Sequence, residues 1–285
     1  MASPIDLHIH TTASDGTDSP ERLLEKLRAA GITTFAVTDH DTVDGARAMS
    51  ALPLEGLRFY PGIEFSTVSP LGKCHILGYG CDFDAAAFVA ALKEGARLRR
   101  VKLEKRLTML REEYGIVLTD AEQAGLNAIR SPGKPHLADI LIARGLAVDT
   151  KDAIRRFFIH ESEESDRLPS ETAIKAIRAS GGVAVWAHPL GGEGEPRLTG
   201  AAFWAQLEAL LSFGIRGLEC CYSRYDAEER RFLLEAAAAH GLYVSGGSDY
   251  HGKKKPDIAL GQLSAENAVI SPEALTILQA LDTVR

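Results

Sequence analysis

The reading of this chain turns on residues 5–16, IDLHIHTTASDG. Ile5, Leu7 and Ile9 alternate with Asp6, His8 and His10, the two-residue period of a short strand. That alternation sends the His8 and His10 side chains to one face. Two imidazoles held side by side on rigid backbone are half of a metal site, and Asp15 follows in a polar turn as a hard oxygen ligand. In isolation a structural histidine pair reads the same way. The decision therefore rests on whether other strand ends carry matching ligands.

Working outward, 285 residues suffice for one large domain, or a domain with an insertion, around a sizeable core. The apolar and charged fractions are those of an ordinary soluble protein. No apolar run is long enough to span a bilayer, and no basic segment precedes an apolar core near Met1. Neither a membrane helix nor a secretion signal is expected. Cys74, Cys81, Cys220 and Cys221 show no C-x-x-C spacing, and adjacent Cys220 and Cys221 point to opposite faces if they lie on a strand. A disulfide framework is not expected, and a reducing, cytoplasmic location is. The formal charge of −7 argues against a dedicated duplex-binding protein, which is usually basic, although the count omits any bound metal.

Strands and helices alternate along the chain. Ser19-Pro20-Glu21 starts a helix whose apolar face is Leu23, Leu24, Leu27 and Ala30, and Gly31 ends it. Residues 33–38 read as a buried strand stopping at Asp39-His40-Asp41, and 42–52 as a helix. Residues 57–65 read as a third strand, broken by Pro61-Gly62 and delivering Glu64; residues 73–79 form a fourth, with His75 inside. From 84 to 168 the periodicity is helical: a long helix over 85–114, shorter ones near 119–126, 134–144 and 150–158, then a polar linker at 161–167. The strand–helix rhythm returns with a helix at 170–180 and a strand at 182–187 leading to His188. A Gly-rich loop at 191–200, a helix at 201–213, a strand at 215–220, a helix at 226–240 and a strand at 243–246 follow, the last leading to Asp249 and His251. The expected organisation is a β/α domain in two parts, 1–83 and 169–285, interrupted by an all-helical insertion at 84–168. Alternating strands and helices imply parallel pairing, and functional residues in such folds collect where strands end.

Nine residues gather at those ends: His8, His10, Asp15, His40, Glu64, His75, His188, Asp249 and His251, including six of the chain's nine histidines. Each alone passes for a capped or hydrogen-bonded residue; a shared metal site explains them together. Histidine with Asp and Glu, and no Cys, suits manganese, iron or zinc.

These residues carry a family resemblance. DLHIHTTASDG, VTDHDT, AVWAHP and GGSDYHG resemble the four motifs of the PHP (polymerase and histidinol phosphatase) family of metal-dependent phosphoesterases, and Glu64 in GIEFS and His75 in HILGY match the intervening ligand positions. The helical insertion resembles the TrpH-like branch, which includes nucleotide phosphatases and RNA exonucleases. The resemblance implies an α/β fold, a distorted (β/α)7 barrel, with a trinuclear centre of divalent ions, manganese foremost. By that analogy His8, His10, Glu64 and Asp249 hold one ion, Asp15, His40 and His251 a second, and His75, His188 and a bridging Glu64 the third.

Charge arithmetic supports an anionic substrate independently. Three carboxylates bring about −3 and three divalent ions about +6, so the site stays cationic in an acidic protein. The expected chemistry is in-line attack on phosphorus by a metal-bound hydroxide held by Glu64, Asp15, Asp249, His40 and His251, with no Ser or Cys nucleophile. No G-x-S-x-G or P-loop pattern is present.

Substrate contacts are expected in Arg130-Ser131-Pro132-Gly133-Lys134-Pro135-His136, similar to the Arg-Pro-His segment that TrpH-like enzymes turn toward the active site. Lys134 stands where that branch often has arginine, and His136 falls at a helix N-terminus, a natural phosphate locus. Arg197 and Arg224 read either as a clamp on a second phosphate or as surface charge. Tyr222 and Tyr250 read as base-stacking or packing residues, Asp39 as an outer carboxylate that orients a ligand or as a turn cap, and Glu219, at a strand end, as a second outer carboxylate or as an ion-pair partner. The basic run Arg97, Arg99, Arg100, Lys102, Lys105 and Arg106 is interspersed with acids and reads as a solvated helix face, or, if that face borders the cleft, as a track for an RNA backbone.

The function expected is hydrolysis of a small nucleotide's phosphate monoester, from a nucleoside monophosphate or 3′,5′-bisphosphate. The alternatives are a 5′→3′ exonuclease on short RNA, histidinol-phosphate phosphatase, and a non-catalytic metal-binding module. No membrane or duplex DNA partner is expected.

Overall fold

A computed structural model describes residues 2–158, 166–191 and 197–283. The expected linker and Gly-rich loop lie partly outside them, at 161–165 and 192–196.

The opening motif forms a very short strand, β1 (Ile5–Asp6), which pairs in parallel with β2 (Thr34–Val37). Between them runs α1 (Pro20–Ala30). The Ser19 side chain accepts the Arg22 N–H at its start, and Gly31 takes a left-handed conformation at its end. Leu23, Leu24 and Leu27 form its buried stripe. After α2 (Asp44–Ser50) comes β3 (Arg58–Ser69), which is not broken at Pro61-Gly62. Residues 58–61 pair with β2, whereas 62–69 pair with β4 (Gly72–Tyr79). Pro61 sits where the partner changes, a place where a missing N–H costs least.

The pairing is mixed rather than wholly parallel. With no helix between them, β3 and β4 form an antiparallel hairpin, and β4 is antiparallel to β6 (Val183–Ala187) as well. From β6 through β7 (Gly217–Tyr222) to β8 (Tyr243–Gly247) the pairing is parallel again. The path runs β1-β2-β3-β4-β6-β7-β8, with β5 (Leu168–Pro169) an unanticipated appendage on β3. Its two ends approach each other: Leu7 N–H donates to Gly246 O at 3.2 Å, and Asp249 N–H to His8 O at 2.8 Å. A Cβ on Gly247 would lie 2.3 Å from His8 Cβ, so only glycine permits this closure. The result is a nearly closed, distorted barrel.

Its core combines Ile5, Phe65, Leu77, Tyr79, Val185 and Leu218 with the inward faces of α7 (Ser170–Ala179), α8 (Gly200–Phe213) and α9 (Ala227–Ala239). The helical stretch contains α3 (Ala86–Tyr114), α4 (Asp120–Ala128), α5 (Lys134–Ala143) and α6 (Thr150–Phe157). It has an apolar cluster of its own, around Leu103, Leu110, Leu137, Leu141 and Phe157. Helix α3 serves both, giving Phe88 and Ala91 to the barrel core and Leu103 and Leu110 to the helical cluster. Among the described residues no helix is long and apolar enough to cross a membrane.

Candidate metal centre

The loops leaving the strands carry the candidate ligands to one end of the barrel. His8 and His10 lie just beyond β1, His40 just beyond β2, and His188 just beyond β6; Asp249 and His251 follow β8. Glu64 and His75 come from the β3–β4 hairpin. Asp249 (φ 60°) and His188 (φ 30°) occupy the left-handed region, which L-residues with a Cβ rarely adopt. Such strain at both positions marks a functional constraint.

Glu64 is the hub. Its Oε2 lies 3.2 Å from His8 Nε2, 3.2 Å from His10 Nε2 and 3.1 Å from His40 Nδ1. Its Oε1 lies 2.8 Å from His75 Nδ1 and 3.1 Å from His188 Nε2. Asp249 Oδ1 is 3.2 Å from His10 Nε2 and 3.4 Å from His251 Nδ1, and Asp15 Oδ1 is 3.3 Å from His251 Nε2. All nine candidates from distant parts of the chain thus meet. Eight of them form three groups that could hold a metal ion: His8, His10, Glu64 and Asp249; His10, Asp15, His40 and His251; and His40, Glu64 and His75. The first coincides with the expected set, and the second adds His10. In the third His40 stands where His188 was expected, while His188 remains in contact with Glu64.

The donor set fits divalent cations. His8 Nε2, His10 Nε2, Asp15 Oδ1, His40 Nδ1 and Glu64 Oε2 are buried and have no hydrogen-bond partner. Orphaned polar atoms are costly unless something occupies the space between them. Burial pushes the Glu64 carboxyl up, but His40, His8 and His75 outweigh it and hold it well below the ordinary carboxylate range. Burial lowers His10, yet Asp249 and Glu64 raise it to about 9. These ligands attract charge that a cation would supply.

The surrounding shell is ordered by carboxylates. Glu219 is wholly buried and reaches the centre: Oε1 is 2.9 Å from His8 Nδ1, and Oε2 accepts the His188 backbone N–H at 2.7 Å. Asp39 accepts Thr11 N–H at 2.8 Å and the Ser14 hydroxyl at 2.6 Å. Ser14 Oγ lies 3.4 Å from His10 Nδ1, so Asp39 acts on the ligand through the loop. Asp6 accepts from His8 N–H, Ser248 N–H and Oγ–H, and Gly261 N–H, locking β1 to the loop that bears Asp249.

Beside the centre opens a cleft of about 280 Å³, lined by Asp15, His40 and His75 on the ligand side. Lys73, Arg99, Lys102, Arg106, Lys134 and Arg167 bring positive charge to it. Of the expected substrate contacts, Lys134 lines this cleft. His136 takes a capping role, its Nδ1 accepting the Gly133 N–H at 2.9 Å. Arg130 pairs with Asp44 at the surface, Arg197 with Glu229 and Arg224 with Asp257; none of the three lines the cleft. Tyr222 is buried and donates to Asp249 Oδ2 at 3.1 Å, and the Tyr250 hydroxyl donates to Asp18, so both build the scaffold.

The basic run is divided rather than uniformly solvated. Arg97 pairs with Glu94 at the surface, whereas Arg99, Lys102 and Arg106 face the cleft. Their spacing of three and seven residues was the available signal, since it defines one helix face. Arg167, 3.2 Å from His75 Nε2, and Lys255, 2.6 Å from Asp249 Oδ2, carried no recognisable signal.

A family model described as the PHP domain matches residues 6–130. A 3′,5′-nucleoside bisphosphate phosphatase of Chromobacterium violaceum is 30% identical over 261 residues, spanning 87% of this chain and 87% of that protein. The 5′-3′ exoribonuclease Rnm of Escherichia coli is 30% identical over 272 residues, spanning 90% of this chain and 88% of that protein. A Bifidobacterium adolescentis protein, described by assignment as a metal-dependent phosphoesterase, superimposes with a TM-score of 0.85 at 29% identity, over 99% of this chain and 96% of that one. Barrel, ligand cluster and relatives together define a metal-dependent phosphoesterase. The chain belongs to the PHP family.

Proposed function

We propose that the protein hydrolyses phosphate monoesters of small nucleotides, a nucleoside monophosphate or 3′,5′-bisphosphate, using three divalent ions with manganese foremost. The observation that carries this reading is the set of five buried, unpartnered donor and acceptor atoms, on His8, His10, Asp15, His40 and Glu64, beside a cleft that Asp15 and His40 share with several cations. His8, His10, Asp15, His40, Glu64, His75, His188, Asp249 and His251 would hold the ions, with Glu64 shared between groups. Divalent ions in such a setting polarise phosphoryl oxygens and acidify water. Glu219 keeps the His8 ring turned so that Nε2 faces the cluster. Lys134 and the other cleft cations receive the anionic substrate and orient it against the ligand end. Residues 84–168 act in this reading as a helical unit inserted into the barrel of 1–83 and 169–285, supplying the cleft's outer wall. Four free thiols support a reducing, cytoplasmic setting.

A second reading, stepwise 5′→3′ hydrolysis of short RNA, is favoured by the cations that continue along α3 beyond the ligand end. Histidinol phosphate offers no second anion for them, and a non-catalytic module has no evident use for a complete ligand set. Product release from AMP, adenosine 3′,5′-bisphosphate, histidinol phosphate and a 5′-phosphorylated RNA pentamer, with manganese, separates these readings. The proposal expects one orthophosphate and an intact nucleotide; successive mononucleotides indicate the exonuclease. No turnover of any substrate rejects the enzymatic reading.

A further inference from the structure

We propose that Lys255 is a positioning residue for the candidate centre: with Tyr222 it takes up one oxygen of Asp249, so that the carboxylate faces the ligand cluster through the other oxygen alone. This inference rests on the metal-dependent reading of that centre.

Three observations carry it. The two oxygens of Asp249 meet different surroundings. Oδ1 lies 3.2 Å from His10 Nε2 and 3.6 Å from His8 Nε2, inside the ligand cluster. Oδ2 lies 2.6 Å from Lys255 Nζ and accepts the Tyr222 hydroxyl at 3.1 Å. The local fold also aims Lys255 at this place. Gly252, at φ 64°, opens a turn that closes through a bond from Lys255 N–H to Gly252 O at 3.2 Å. The consecutive lysines then part: Lys253 is exposed, Lys254 Nζ donates to the Pro135 carbonyl at 3.1 Å, and Lys255 turns inward to Asp249. Finally, the Lys255 and Asp249 side chains are only 17% and 4% exposed, so bulk salt screens the pair weakly. The Asp249 backbone is pinned by its N–H bond to His8 O, which leaves the rotation of the carboxylate to the groups around it.

The consequence for the centre follows from carboxylate chemistry. A free carboxylate can ligate one cation through both oxygens. With Oδ2 bonded to an ammonium and a phenol, Asp249 offers a single donor, and the coordination position that Oδ2 would fill stays open to substrate. The ammonium has a second effect. It and a divalent ion are like charges set on one carboxylate, a repulsion worth about tenfold in ion affinity. Lys255 thus weakens ion binding while keeping the centre open and more positive toward an anionic ester. A residue that only supported the fold would sustain affinity and turnover together.

The test uses Lys255→Met, Lys255→Gln and the conservative Lys255→Arg in the full chain. Lys253→Met is the control, removing the same charge from the neighbouring surface. Manganese affinity is measured by chelator competition, and kcat and KM on AMP and adenosine 3′,5′-bisphosphate in manganese-saturated protein. In Lys255→Met, one manganese is expected to be held about tenfold more tightly while kcat falls about tenfold. Both shifts should be smaller in Lys255→Arg and absent from Lys253→Met. Lys255→Gln carries the same expectation should the apolar substitution unfold the chain. Parallel losses of affinity and turnover in the Met and Gln variants, or no change in either, overturn the inference and leave the hydrolytic reading in place. Tighter manganese binding in a chain that turns over no ester, wild type included, removes the hydrolytic reading and leaves the inference standing. A wild-type chain that takes up no manganese overturns both.

Discussion

Glu219 Oε1 stands 2.9 Å from His8 Nδ1, with both side chains excluded from solvent. The contact holds the Nδ1 proton toward the carboxylate and turns Nε2 toward Glu64, while the other Glu219 oxygen anchors the His188 backbone. A carboxylate behind a ligating imidazole fixes its tautomer and raises its basicity. Glu219→Gln is therefore expected to lower metal affinity or turnover about 10- to 100-fold with the fold intact. Metal analysis and kcat at saturating manganese check this; wild-type values for both remove the assigned role.

Metal loading should stabilise the protein, because the buried orphan atoms of the cluster gain partners only in the loaded state. At a free-ion concentration 100 times Kd, one site adds about 2.7 kcal/mol. A rise in Tm on adding manganese, reversed by a chelator, is the expected outcome. Asp249→Asn should shrink that rise and, like His188→Ala, abolish turnover; a normal kcat in Asp249→Asn contradicts its place among the ligands.

Asp41 couples the ligand loops to α3. It lies at φ 51° and is buried, receives two bonds from Arg99, and accepts Ser66 N–H at 2.9 Å. Asn tolerates the left-handed conformation but carries no charge, so Asp41→Asn isolates the ion pair from the backbone. Breaking a buried pair from one side leaves Arg99 uncompensated, and the expected loss is about 3 kcal/mol in urea unfolding. Asp41→Ala adds backbone strain of about 1 kcal/mol. Equal stability of Asp41→Asn and wild type would show that the pair holds nothing together.

Asp6 predicts a pH dependence. Burial outweighs its hydrogen bonds to Gly261 and Ser248 and raises its carboxyl from 3.8 to about 6. Between those values the folded chain holds a proton that the unfolded chain has released. Stability from this group is full at low pH, falls as pH rises through the window, and levels above it. The total is about 3 kcal/mol. Asp6→Asn cannot ionise, so the stability difference between it and wild type should vary with pH between 4 and 6 and not above. A flat difference across that range contradicts the assignment.

Much of the fold was legible because its signals are local. Ser19, Pro20 and Gly31 delimit α1, and the apolar period of 86–114 marks α3. The antiparallel hairpin at β4 was not legible as such, since pairing direction depends on which strands meet rather than on their composition. Pro61 shows the same limit. It reads locally as a break, but in the assembled sheet it is the residue at which β3 changes partner.

Within the site, the ligands stood out through their chemistry: histidine and carboxylate recurring at strand ends is the pattern of a metal centre and of little else. Arg167 and Lys255 did not, and Glu219 and the basic run of α3 read two ways, because a charged residue in sequence looks the same whether it ends in solvent or against an imidazole. Residue order alone determined the element sequence and the donor atoms available, since propensity, capping and side-chain chemistry act over a few residues. Which donors come within reach of one another, which carboxylate stands behind His8, and which face of α3 borders the cleft were decided only by tertiary packing. Closing the barrel brings together groups hundreds of residues apart, and only that closure excludes the water that would otherwise satisfy them.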